Sequence, residues 1–167
     1  MNPRDFSDTS HPLDLFDYFE GETQAWGLFE DRFGKLRRQF QVDITGTIDG
    51  DTLVLDEAFL YADGKRQQRT WTIRRTGESS YSGQAADVIG EAQGNTGGNA
   101  LHWTYTMELK VGDRLVKVVF DDWMFLQPGG VLLNRARISK FGVEIGSVTL
   151  AFMKPAQAPQ SAAVASR

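Results

Sequence analysis

The chain has 167 residues and no cysteine. Disulfides, thiol nucleophiles, iron–sulfur clusters and cysteine zinc sites are therefore excluded. This fits a reducing compartment, although many periplasmic barrels also lack cysteine. Histidine is almost absent as well. His11 lies in a polar leading segment and His102 on the polar face of a strand, so no metal site and no cofactor is expected. Positive charge is in deficit: 18 Lys and Arg against 22 Asp and Glu give a net charge of -4. A nucleic-acid partner held by a broad basic field is not expected. No apolar run approaches the ~18 residues of a membrane-spanning helix. The start, MNPRDFSDTSHPLDLF, has neither an apolar h-region nor a cleavage pattern. A cytoplasmic location is expected, or a periplasmic one if the chain is trimmed at its N-terminus. Gly94–Asn99 lacks the strand–loop–helix setting of a phosphate-binding loop, and no Gly-x-Ser-x-Gly elbow occurs.

What the sequence does have is alternation. After a polar segment over 1–12, Leu13, Phe16 and Phe19 recur at a spacing of three, which predicts one short amphipathic helix. Ser10 and Pro12 resemble its start, and Gly21 its end. From Thr23 to Met153 the pattern becomes period-two segments separated by turn signals such as Asp49-Gly50-Asp51, Asp63-Gly64-Lys65, Pro128-Gly129-Gly130 and Phe141-Gly142. About nine or ten strands in consecutive hairpins predict an all-β fold, a single antiparallel up-and-down β-barrel with a short N-terminal helix. The expected organisation is a flexible N-terminus over 1–12, a barrel over 13–154 and a disordered, low-complexity tail over 155–167.

Parity within each strand assigns its faces. In Leu101–Leu109 the odd residues Leu101, Trp103, Tyr105, Met107 and Leu109 are apolar and point in. In Leu53–Tyr61 the inward set holds Glu57 and Phe59. Trp71 and Ile73 share a face with Arg69 and Arg75, so a guanidinium lines the interior or its rim. In VVFDDWMFL, Asp122 falls on the apolar inward face and Asp121 on the outer one. The two acids are therefore no catalytic dyad, and an outward Arg135 would pair with Asp121 across the hairpin.

An inward carboxylate is costly unless it is paired or neutralised. Asp122 and Glu57 need donors, and Arg69, Arg75, Asn134 and the Trp and Tyr side chains can supply them. One reading is a satisfied structural network. The leading functional reading is a non-catalytic barrel binding a small amphipathic or hydrophobic molecule. Trp71, Trp103, Tyr105 and Phe59 would hold its apolar body and Arg69 or Arg75 would meet an acidic head group, with Asp122 and Glu57 also lining the site. Two alternatives stand beside it. One is an enzyme using Asp122 or Glu57 as general acid or base. The other is an interaction module, a homodimer or a scaffold for pathway enzymes, using the outward face of Val119, Trp123 and Phe125.

Phe19–Gly27, Trp71–Arg75, Asp121–Met124 and Asn134–Ala136 together resemble a proteobacterial family, the domain of unknown function numbered 3833, over Leu13 to Lys154. The resemblance carries no established activity. It implies a role near membrane-lipid metabolism, and hence a fatty-acyl-like ligand or a lipid-pathway partner. The glycine–tryptophan pair following a short helix is loosely similar to lipocalins and other calycin barrels.

Overall fold

Period-two alternation, broken at regular intervals by glycine turns, closes on itself. The computed structural model describes residues 1–155. The tail expected over 155–167 lies outside the described residues apart from Pro155. Among the described residues ten strands form: β1 (Gly21–Asp31), β2 (Leu36–Asp49), β3 (Thr52–Tyr61), β4 (Arg66–Arg75), β5 (Ser80–Gln84), β6 (Val88–Gly97), β7 (Ala100–Val111), β8 (Arg114–Leu126), β9 (Leu132–Lys140) and β10 (Val143–Met153). Each pairs antiparallel with its neighbours in sequence, and β10 pairs with β1 to close the barrel. Closure leaves no sheet edge to recruit another chain.

Meander topology sends alternate hairpins to opposite ends. One end is stoppered by α1 (Leu15–Phe19), in which Leu15, Phe16, Tyr18 and Phe19 are all buried. Asp14, rather than Ser10 or Pro12, starts the helix: its carboxylate accepts from the backbone N–H groups of Phe16 (2.9 Å) and Asp17 (3.2 Å). At the other end of the helix the Lys154 ammonium donates to the carbonyls of Tyr18 (2.6 Å) and Glu20 (3.1 Å). Such a cation neutralises the carbonyls a helix leaves unpaired. The stopper sits so close to the wall that a Cβ on Gly46 would stand 1.7 Å from the Phe19 carbonyl oxygen. Only glycine fits there.

Residues 1–12 carry a 3-10 turn, Pro3–Phe6, capped by Asn2. Its Phe6 ring packs on Trp123 (6.2 Å) and Phe125 (5.2 Å). Trp123 therefore points outward as its parity requires, yet is only 8% exposed. The remaining member of that outer face, Val119, stays exposed. Asp121 faces outward too, but its partner is His102, whose Nε2 meets the carboxylate. The β8–β9 register sets Arg135 opposite Trp123 and Arg137 opposite Asp121, so the expected Asp121–Arg135 pair does not form.

Candidate ligand-binding site

The two halves of the barrel interior differ. Beside α1 the inward side chains are sealed: Leu53, Leu101, Leu132, Ile44 and Tyr81 are at most 1% exposed. Toward the opposite end Phe40, Phe59, Tyr61, Trp71, Tyr105 and Phe120 point inward by register yet remain only half-buried. The β1–β2, β3–β4, β5–β6, β7–β8 and β9–β10 turns form the mouth at this end, where Met107, Val118 and Ile138 make a second, smaller buried cluster. These partly exposed aromatic walls are the sides of a cup, and the sealed half beside α1 is its floor.

Aromatic rings line its walls. Trp71 stacks near Trp103 (6.4 Å between centroids) and meets Tyr105 edge-on at 5.3 Å, while Tyr105 stacks on Phe120 at 4.9 Å. The far wall carries Phe40, Phe59 and Tyr61, at 5.5 to 6.2 Å from one another. Trp103 can lie flat because Gly94 is its neighbour across the strands; a Cβ there would come within 2.8 Å of the indole.

Polar groups interrupt this apolar lining midway. Glu57 on β3 lies directly opposite Arg69 on β4. The guanidinium, however, turns its Nε and one terminal nitrogen to Asp87 Oδ2, at 3.1 and 3.0 Å. Glu57 Oε1 is sealed from solvent and has no hydrogen-bond partner, and the same holds for Asp87 Oδ1. Asp122, 6% exposed, accepts from the Asn134 side-chain amide, which also donates to the Trp123 carbonyl at 2.9 Å. Glu57 and Asp87 thus share the Arg69 guanidinium, while Asp122 is held by Asn134 and Tyr105.

Burial drives the protonation of this cluster. It pushes Glu57 from 4.5 up to about 7; Arg69 opposes the rise, and the Asp87 and Asp122 charges add to it. Asp122 rises from 3.8 to about 7, again chiefly through burial, with the Asn134 hydrogen bond opposing. The Tyr105 hydroxyl is held well above its ordinary range by burial and by the Asp122 charge. At neutral pH the cup therefore holds carboxyl groups poised between neutral and ionised.

Seven of the eight site residues read from the sequence share this interior: Glu57, Phe59, Arg69, Trp71, Trp103, Tyr105 and Asp122. Arg75 does not. Parity places it on the inner face, but it ends β4 at the stoppered end, where it grips Asp14 at 3.1 and 3.2 Å and lies over the Phe16 ring at 4.6 Å. It fastens the floor. Asp87 escaped sequence reasoning because it sits in the β5–β6 turn, where alternation assigns no face. A groove of about 700 Å³ crosses β9, β10, β1, β2 and β3, lined by the outward Trp26, Leu28, Leu60 and Leu133 and also by Phe40, Tyr61 and Leu150 of the inner face. Its lining has no ionisable group save the Tyr61 phenol, so the polar chemistry belongs to the cup. Among the described residues no cluster of three metal-ligating side chains occurs, and no helix is long and apolar enough to cross a membrane.

Comparison with known proteins agrees with the fold. The model of the family described as "Protein of unknown function (DUF3833)" matches residues 1–154. No curated protein matches the chain. Among solved structures, the S-type phycobiliprotein lyase CPES from Guillardia theta superposes with a TM-score of 0.58 at 8% identity, covering 83% of this chain and 88% of that one. The likeness is one of barrel architecture and suits a loosely calycin-like fold.

Proposed function

Since the chain belongs to the DUF3833 family, whose description assigns no activity, we propose its function from the cup: non-catalytic binding of one small amphipathic molecule with a fatty-acyl-like apolar body. The observation that carries this reading is the asymmetry of the interior, sealed by α1 at one end and solvent-accessible along aromatic walls at the other. Ligand pockets combine apolar walls with a few convergent polar groups, as here.

The polar end of the ligand is set by charge. Arg69 is already neutralised by Asp87, and Glu57 faces it from the next strand. The interior atoms lacking a partner are both acceptors, Glu57 Oε1 and Asp87 Oδ1. An ammonium or other N–H donor satisfies such an acceptor, whereas a carboxylate would add a fourth acid to three. The cup therefore suits a long-chain amine better than a fatty acid. Dodecylamine and dodecanoate can be titrated below their micelle concentrations, following Trp71 and Trp103 fluorescence in a Trp26→Phe/Trp123→Phe background. The amine should bind more tightly, by roughly tenfold or more, as expected for one buried charge-assisted hydrogen bond. Glu57→Gln should erase that preference. Failure of both chains to bind would overturn the binding reading itself; equal or reversed affinity would overturn only the assignment of the polar end.

One observation favours a second reading. Glu57 and Asp122 both titrate near 7, where a general acid or base works best. Under that reading Asp122→Asn leaves the fold intact and abolishes turnover of a bound lipid; a bound molecule recovered chemically unchanged excludes it.

A further inference from the structure

The mouth of the cup is unlike the rest of the surface. Three of its hairpins end in large apolar side chains held out in solvent: Phe33 in the β1–β2 turn (81% exposed), Leu115 beside the β7–β8 turn (67%) and Phe141 in the β9–β10 turn (93%). Leu36 and Val143, at the bases of two of these hairpins, are exposed as well. In the strand order β7-β8-β9-β10-β1-β2 the three hairpins follow one another around the rim, so the tips form one continuous arc.

Nothing in the fold calls for these residues. Phe141 adopts φ 52, a left-handed conformation that glycine or asparagine would take with less strain. A ring in that position gains no packing within the barrel. Its neighbour Lys140 reaches over it at 5.4 Å, and Arg32 lies over Phe33 at 4.7 Å. Each aromatic tip therefore carries a cation beside it, and Leu115 follows Arg114.

Charge distinguishes the two ends. At the rim, Asp31 is engaged by Arg37, Asp63 by Lys65 and Glu144 by Arg137. Arg32, Lys35, Arg38, Arg66, Lys110, Arg114 and Lys140 remain beyond those pairs, against Glu30, Glu108 and Asp113. The stoppered end instead bears more acids than bases, with Asp5, Asp17, Glu20, Glu22, Asp49 and Asp51 against Arg4, Arg74 and Lys154. The chain as a whole is acidic, at -4. The chain as a whole is therefore not drawn to an anionic surface, and the basic rim favours a mouth-first approach.

We propose that the arc of Phe33, Leu115 and Phe141 docks the barrel mouth-first on an anionic lipid bilayer, the apolar tips entering the interface and the rim cations meeting lipid phosphates. Apolar insertion combined with a basic surround is the physical recipe for reversible interfacial binding. In this orientation the cup opens toward the bilayer, so an amphipathic molecule passes between them without crossing water. Docking itself does not require the cup to be occupied.

Vesicle flotation of the full chain tests the proposal. The protein should float with vesicles of phosphatidylethanolamine and phosphatidylglycerol and stay behind with pure phosphatidylcholine. Added salt should weaken flotation by screening the cations. Phe33→Ser/Leu115→Ser/Phe141→Gly should reduce the bound fraction about tenfold without lowering the melting temperature, since the glycine relieves the strained φ. Wild-type protein that ignores anionic vesicles at low salt, or a triple variant that floats as well as wild type, overturns the proposal. So does a wild-type dimer that the triple variant converts to monomer while vesicles remain unbound, for then the arc binds a second copy.

Discussion

Replacing Glu57 by glutamine should stabilise the barrel, but only at pH values where the wild-type residue is forced to ionise. Glu57 has a folded-state pKa of about 7 against 4.5 for the ordinary side chain. Because the folded pKa is raised, the folded state binds the proton more tightly. No penalty exists below about 4.5; it grows as pH rises and is complete above about 7. At about 1.4 kcal/mol per pKa unit the full effect is on the order of 3 kcal/mol. The groups facing Glu57 are Arg69, Asp87 and Asp122, and part of the shift is shared with the Asp122 charge. Three is therefore an upper figure. For a domain of this size it corresponds to a melting-temperature difference of roughly 6–12 °C. Glutamine resembles the protonated acid in shape and charge, so it should leave stability at pH 5 nearly unchanged and raise it at pH 8. Calorimetric melts of both proteins across that range decide the matter. The difference between the two curves cancels the titration of every group not coupled to Glu57. A difference that is flat with pH, or larger at pH 5, would refute the claim that burial holds this carboxyl near neutrality.

Two further outcomes concern the floor. Asp14→Ala removes both the helix cap and the Arg75 partner; because that ion pair is partly exposed, the loss should be only about 1–2 kcal/mol, read by urea unfolding. Gly46→Ala places a methyl group against the Phe19 carbonyl; it should cost more than about 2 kcal/mol and speed amide exchange over 15–19.

Parity made much of this structure legible. Alternation alone sends Asp122, Trp103 and Tyr105 inward and Asp121 outward, and the spacing of turns yields a meander of about the observed ten strands. Parity assigns a face, however, and not a height along the barrel. Arg75 has the correct face but ends its strand at the floor, whereas Arg69, six residues earlier, stands at mid-depth opposite Glu57. Cover by remote segments is equally invisible: Trp123 reads as a free outer aromatic until Phe6, far away in sequence, is laid upon it. Asp87 shows a third limit. A turn residue has no alternation to read, and its role emerges only when β4 brings Arg69 within 3.0 Å. The exposed tips at Phe33 and Phe141 were also present in the sequence, yet they look like ordinary turn positions until topology gathers them on one rim.

The most direct test of the cup is native mass spectrometry of the protein as isolated from cells, followed by addition of dodecylamine. The expected result is a single amphipathic molecule bound one to one, displaced stoichiometrically by the amine. A bare chain that also takes up neither dodecylamine nor dodecanoate would contradict the claim that the half-open interior is a binding site.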